Sequence, residues 1–309
     1  MPRSLQLREP SVVAIDNNTN KIVRIGKEAQ QMLGRTPENI SIIRPLKDGV
    51  ISQYSVTLKM LQYFIEHACG PTLIRPRVMI CVPSGISEAE EMTVINATNQ
   101  AGARQTILIE EPVAAAIGAG IDINAPEGHL VVDIGGGTTD IAVISYGGVV
   151  VSESIRVAGN ELDEAIMAYI RKRHQVLIGE RTAEEIKLKI ATVSKNGRNE
   201  SMSVRGRDMV TGLPATFSVT SEDCRVALED AVASMIATVR GVLEKCPPEL
   251  ASDIVDNGIY LTGGGALLDG LAEVMQAETG IDIHIAENPL DCVAIGTGKA
   301  LQSLDNFRL

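Results

Sequence analysis

Asp133, Gly135, Gly136, Gly137, Thr138, Thr139 and Asp140 crowd into one stretch, VVDIGGGTTDIAVIS at residues 131–145. Two apolar, strand-like runs flank them. Glycine carries no Cβ, so main-chain N–H groups in such a turn can close on a phosphate. The threonines add hydroxyl donors, and Asp133 at a strand end suits a hydrated Mg²⁺ beside the phosphates. The same pattern also fits a plain tight turn in a sheet. Glu110 and Glu111 in LIEEPVAAAIGAG supply the complementary group. An acid at a strand end, followed by Pro112 at a helix start, can orient a water against a phosphate. Alternatively, both acids simply favour the positive end of that helix. A third candidate is Gly263, Gly264 and Gly265 after the apolar run Ile259 to Thr262. There a helix N-terminus would point its N–H groups at a nucleotide. GTGKA near residue 300 lacks the upstream glycine of a Walker sequence, and the cluster at 263 lacks the third glycine of a dinucleotide fingerprint. Both of those classes are disfavoured.

Such groups need strands that end together and helices that follow them. The chain alternates between the two: PSVVAID, the helix VTLKMLQYFIEHA, RVMICVP, the helix SEAEEMTVINATNQAG, TILIEEP, the small-residue helix VAAAIGAG, then the glycine hairpin. This alternation predicts an α/β layered fold. Ser87 with Glu90 three residues on reads as a capping box that starts a helix. Further along come VVVSESIRVAG, a helix from about Glu161 to Arg173, and a hairpin turning at Thr211-Gly212-Leu213-Pro214. A long helix from Ser221 to Cys246 stops at Pro247-Pro248.

With 309 residues there is room for two domains, and with hydrophobic residues at 45% but aromatics at only 3% the core must be aliphatic. The net charge of −11 and a single short basic cluster, Arg171 to His174, argue against nucleic acid as a partner. The cysteines at 69, 81, 224, 246 and 292 and the histidines at 67, 129, 174 and 284 match no zinc spacing or His-based triad. They read as reduced thiols and dispersed rings. No run approaches the roughly 20 apolar residues of a membrane span, and MPRSLQLREP has no signal-peptide core, so a cytoplasmic chain is expected.

In order, EPSVVAID, IRPLKDGVI, EEPVAAAIGAG, VVDIGGGTTDIAVIS, RVAGNELDEAI, IGERTAEEIK, TGLP, LEKCPPELASDI and GIYLTGGGALLDGL resemble the MreB-type bacterial actins. These are rod-shape proteins of the actin, sugar-kinase and heat-shock-chaperone ATPase superfamily. The resemblance runs through nearly the whole chain. It implies an actin-like ATPase fold of two α/β domains around a nucleotide cleft. Domain I would take residues 1–118 and 292–309, with a small subdomain at about 17–50. Domain II would take 119–291, with a small subdomain at about 161–227. It also implies ATP with Mg²⁺ as cofactors, Asp133 near the metal through water, Gly135 to Thr139 as a phosphate clamp, and Glu111 and Thr138 at the attacking water. Glu184 and Lys187, three apart and therefore on one helix face, would embrace ribose and adenine. Gly263 to Gly265 would form the adenosine turn. Read without the resemblance, Glu184 and Lys187 are an ordinary surface ion pair.

The resemblance further implies filaments of the chain itself, lying on the inner face of the cytoplasmic membrane and organising the cell-wall elongation machinery. The loop GPTLIRPR would place Leu73 and Ile74 in the lipid interface and Arg75 and Arg77 on anionic head groups, at about 1 kcal/mol per basic residue. One subunit would bind weakly, and avidity along a filament would supply the rest. One departure stands out. The superfamily's first phosphate hairpin, a DLGT-like turn with its own acid, should lie upstream of LREPSVVAID. Its absence is expected to leave strand edges in domain I without partners. Two explanations compete: a true start that lies upstream, which keeps the ATPase and is favoured because Glu111, Asp133, Thr138, Glu184 and Lys187 are all intact, or a shortened, non-hydrolysing structural subunit that co-assembles with a full-length relative.

Overall fold

The computed structural model describes residues 7–47, 49–70 and 74–306. The chain forms two compact units, one of residues up to Val82 with Ile86–Glu110 and the C-terminal residues from Thr297, the other of Pro83–Gly85 with Glu111–Gly296.

In the first unit, β1 (Val13–Asp16) lies between β2 (Lys21–Ile25) and β3 (Ile40–Ile43) and is antiparallel to both. The short helix α1 (Lys27–Gln31) follows β2. Next come β4 (Leu46–Lys47), β5 (Val50–Ile51) and α2 (Tyr54–Cys69). Alternation along β1 sends Val13 and Ile15 toward Val56 and Met60 of α2, and Val12 and Ala14 toward Ala29 of α1. β6 (Arg77–Val82) and β7 (Gln105–Glu110) pair in parallel, joined by α3 (Glu88–Gln100). The capping box at α3 is present: Glu90 N donates to Ser87 Oγ at 3.3 Å, and Ser87 N donates to Glu90 Oε2 at 2.9 Å.

The second unit opens with α4 (Glu111–Ala119) and β8 (His129–Ile134), then β9 (Thr139–Ser145) and β10 (Gly148–Ile155). After these come α5 (Gly159–His174), β11 (Val176–Leu177), α6 (Glu180–Ile190), β12 (Ser201–Asp208), β13 (Pro214–Thr220) and α7 (Ser221–Lys245). The unit closes with α8 (Pro248–Asn257), β14 (Ile259–Thr262), α9 (Leu271–Thr279), β15 (Ile283–Ile285) and the start of α10 (Cys292–Asn306). Its main sheet has the order β10-β9-β8-β14-β15, with β14 parallel to both β8 and β15.

Both faces of that sheet are covered, so β9 is buried at every position. Leu130, Val132, Ile134, Ile141 and Val143 pack toward Leu162, Ile166, Ile186, Leu228 and Met235 of α5, α6 and α7. Val131, Ala142 and Ile144 face Ala115 and Ala116 of α4. Each fully buried Ile or Leu here contributes roughly 1.5–3 kcal/mol.

The units divide elsewhere than the sequence reading draws the line, at 110/111 and 296/297 instead of 118/119 and 291/292. The physical reason is a backbone-to-backbone crossing. Gly118 lies against the carbonyl of Cys292, and Gly296 lies against that of Ala114, so closely that neither has room for a Cβ. This crossing binds α4 and the first turn of α10 into the second unit.

Candidate functional site

Glu111, Asp133, Gly135 to Thr139, Glu184, Lys187 and Gly263 to Gly265 all fall in the second unit, whereas Glu110, Arg75 and Arg77 fall in the first. β8 ends at Asp133 and Ile134, and the chain turns through Gly135 to Thr138 into β9. Gly135 N donates to Thr138 O at 2.9 Å, so that amide is engaged inside the turn. None of Gly135, Gly136 and Gly137 has positive φ. Glycine therefore provides room here, not handedness. Behind the turn, the first amides of α5 meet its carbonyls: Gly159 N donates to Gly135 O at 3.1 Å and Asn160 N to Gly136 O at 2.8 Å. Ala158, the N-cap, makes no side-chain cap. The hairpin thus caps the helix, and the positive end of α5 faces it.

Thr139 is the other threonine of the turn. Its side chain is fully buried and Oγ1 donates to Val157 O at 2.6 Å, so that hydroxyl is already engaged inside the unit. Thr138, 8% exposed, is the hydroxyl at the turn.

A cluster of acids lies by the turn, with Asp133 and Asp140 buried and Glu111 half-buried. Asp133 is 5% exposed, and its Oδ1 accepts from Thr262 Oγ1 at 2.9 Å. Burial raises its pKa to about 6; the Thr262 hydrogen bond opposes this and the charge of Asp140 adds to it. Asp140, fully buried, accepts from the Ser84 amide at 3.3 Å. Glu111, the first residue of α4, has its pKa raised to about 8 by burial, then by the charges of Asp140 and Asp133. Its neighbour Glu110 ends β7 in the first unit.

The glycine run at 263 reaches the same place by a route other than the expected one. Gly263 is the N-cap of a one-turn 3-10 helix, Gly264–Leu267, and the α-helix begins only at Leu271. Gly263 has φ 77°, and a Cβ on it would stand 2.7 Å from Asp133 Oδ1. Glycine is required there for both reasons. On α6, Glu184 is exposed while Lys187 is half-buried. Lys187 does not pair with Glu184: Nζ donates to Gly159 O at 2.7 Å and sits 2.9 Å from Asp163 Oδ1. Leu73 lies outside the described residues, while Ile74 is 73% exposed and Arg75 is exposed beside it. No helix of the described residues is long and apolar enough to cross a membrane.

Sequence reasoning missed Thr262, Asp163 and Gly159, and used Asp140 only as a flank of the turn. Thr262 had one usable signal, its place at the end of an apolar strand directly before glycines. Among the described residues, no three His, Cys, Asp or Glu side chains converge on a metal position. Asp133 and the turn fit Mg²⁺ only in the manner usual for that ion, keeping waters and taking other ligands from phosphates.

Two α/β units, with a strand-end glycine hairpin ringed by buried carboxylates in the second, make up an actin-like fold. The crystal structure of MreB5 of Spiroplasma citri bound to ADP matches it with a TM-score of 0.93 and 39% identity, over 96% of this chain and 90% of that one. A MamK double helical filament, 23% identical, shares the fold with a TM-score of 0.80 over 94% and 91% of the two chains. The chain belongs to the MreB/Mbl family: the family model described as MreB/Mbl protein matches residues 3–308. The cell shape-determining protein Mbl of Bacillus subtilis (strain 168) is 50% identical over 99% of this chain and 92% of its own length. The cell shape-determining protein MreB of Escherichia coli (strain K12) is 47% identical over 98% and 89%.

Proposed function

We propose that this chain is an ATP-binding cytoskeletal protein that assembles into filaments on the inner face of the cytoplasmic membrane and directs cell-wall elongation, fixing rod shape. The observation that carries the nucleotide reading is the convergence of Asp133, Asp140 and Glu111 on a glycine hairpin backed by the N-terminus of α5. Glu111 and Asp133, whose pKa values are raised, would cost stability as purely structural elements, so their place at a glycine turn points to chemistry. The ADP-bound relative at 39% identity supports the same reading.

In this reading the amides of Gly136 and Gly137 and the hydroxyl of Thr138 receive the phosphates. Gly263 to Gly265 and Glu184 flank the nucleoside. Mg²⁺ held through water near Asp133 would neutralise phosphate charge and lower the pKa of the neighbouring acids. Glu111, once ionised, accepts a hydrogen bond from a water, and Thr138 aligns that water for in-line attack. Ile74 with Leu73, Arg75 and Arg77 would touch the lipid surface, weakly per subunit and firmly along a filament.

The test is ATP binding and turnover by the purified chain with Mg²⁺, beside Glu111→Ala. Turnover that disappears in the variant supports the reading. Turnover that persists unchanged removes Glu111 from the mechanism. One observation favours a second reading, a non-hydrolysing subunit that co-assembles with a relative: with a pKa of about 8, Glu111 holds its proton at neutral pH. Sedimentation with and without a full-length relative separates the two.

A further inference from the structure

We propose that Asp163 and Lys187 are a positioning pair that fixes the phosphate hairpin through the first turn of α5. The inference rests on the reading of Gly135 to Thr138 as a phosphate site, and it gives Lys187 a role other than nucleoside contact. The chain of contacts is continuous. From α6, Lys187 Nζ donates to Gly159 O at 2.7 Å and is held by Asp163 Oδ1 at 2.9 Å, one helical turn further along α5. Gly159 N and Asn160 N then hold the carbonyls of Gly135 and Gly136 at 3.1 and 2.8 Å. A Cβ on Gly159 would lie 3.2 Å from Gly135 O and 3.6 Å from Lys187 Nζ, which shows how tightly the three segments meet.

Both side chains are largely withdrawn from water, Lys187 at 15% and Asp163 at 14% exposure. A pair so placed gains little stability over an apolar substitute, and its value lies in fixing one geometry. Burial raises the pKa of Asp163, and Lys187, 2.9 Å away, opposes that rise. With three donors on a flexible stem, Lys187 can meet a carbonyl and a carboxylate together. A loosened α5 would tilt the amides that hold Gly135 and Gly136, shifting the N–H groups of the turn. Displacements of that kind, well under 1 Å, are enough to weaken phosphate binding.

The experiment measures binding of adenosine, ADP and the non-hydrolysable AMPPNP, with Mg²⁺, by the full chain and by Lys187→Met, Lys187→Arg, Asp163→Asn and the double variant. The expected result is a weakening of AMPPNP and ADP by about tenfold, in line with loss of a charge-assisted hydrogen bond, with adenosine changed by less than about twofold. Lys187→Arg should recover part of the loss, and the double variant should be no worse than either single one because the pair acts as a unit. If Lys187→Met folds poorly, Asp163→Asn, which keeps size and an acceptor, carries the same comparison. Hydrogen exchange at Gly135 to Thr138 should quicken in both. The proposal is overturned if adenosine weakens as much as AMPPNP, which makes Lys187 a nucleoside contact, or if Asp163→Asn binds AMPPNP normally. Thr138→Val tests the parent reading separately: unchanged AMPPNP binding there overturns the phosphate hairpin itself.

Discussion

Glu111→Gln should make the nucleotide-free, Mg²⁺-free chain more stable at alkaline pH. The pKa of Glu111 rises from its ordinary value of 4.5 to about 8 because burial and the charges of Asp140 and Asp133 disfavour the carboxylate. The folded chain therefore holds a proton that the unfolded chain has released. Its stabilising contribution is complete below about 4.5 and is lost as pH rises through about 8. Between pH 5 and pH 9 the loss is at most roughly 4 kcal/mol, at about 1.4 kcal/mol per tenfold change in proton affinity. Glutamine has the same size and no charge to expose, so the variant escapes that loss. Urea unfolding at pH 5, 7 and 9 reads it directly. The wild-type midpoint should fall relative to the variant as pH rises, with near equality at pH 5. Parallel pH curves for the two proteins would refute the claim that Glu111 is held in a carboxylate-hostile site.

Thr262→Val removes the donor to Asp133 Oδ1, and should raise the pKa of Asp133 above about 6 while costing about 1–3 kcal/mol; carboxyl NMR titration checks the first and urea unfolding the second. Gly118→Ala forces a Cβ against the Cys292 carbonyl and should destabilise the second unit by about 1–3 kcal/mol or prevent its folding, seen by calorimetry. Thr220→Ala abolishes the capping box that Thr220 forms with Asp223 at α7, for about 1 kcal/mol and a lower Tm. Ile74→Asp with Arg75→Glu should reduce co-sedimentation with anionic vesicles while leaving nucleotide binding intact; undiminished vesicle binding removes this loop from the membrane reading.

The parts of the fold carried by local pattern were legible in the sequence. The capping box at Ser87, the turn before Pro214 and the stop of α7 before Pro247 each follow from chemistry within a few residues. The hairpin of Asp133 to Asp140 was legible as a turn, but the inward side of Thr139 depends on strand parity that a glycine-rich turn obscures. Thr262 meets Asp133 only through the parallel pairing of β14 with β8, 129 residues apart in the chain. Lys187 pairs with Asp163 on another helix, although Glu184 stands three residues away on its own. Contacts made across elements leave no spacing to read. The close crossing of α4 and α10 left no mark either: Gly118 and Gly296 look like ordinary small residues until the two helices are seen to meet.

The complete burial of β9 has a consequence for how the second unit comes apart. Amides in a strand covered on both faces exchange with solvent only when the whole unit opens, whereas exposed loops exchange through local fluctuations. Asp133 and Asp140 bracket the glycine turn at the ends of β8 and β9, in the middle of that protected sheet. Asp133 and Asp140 therefore cannot be released by fraying. Their disappearance and the cooperative melting of the unit are a single event, so a ligand that grips the turn should raise the midpoint of the entire transition in proportion to the logarithm of its concentration.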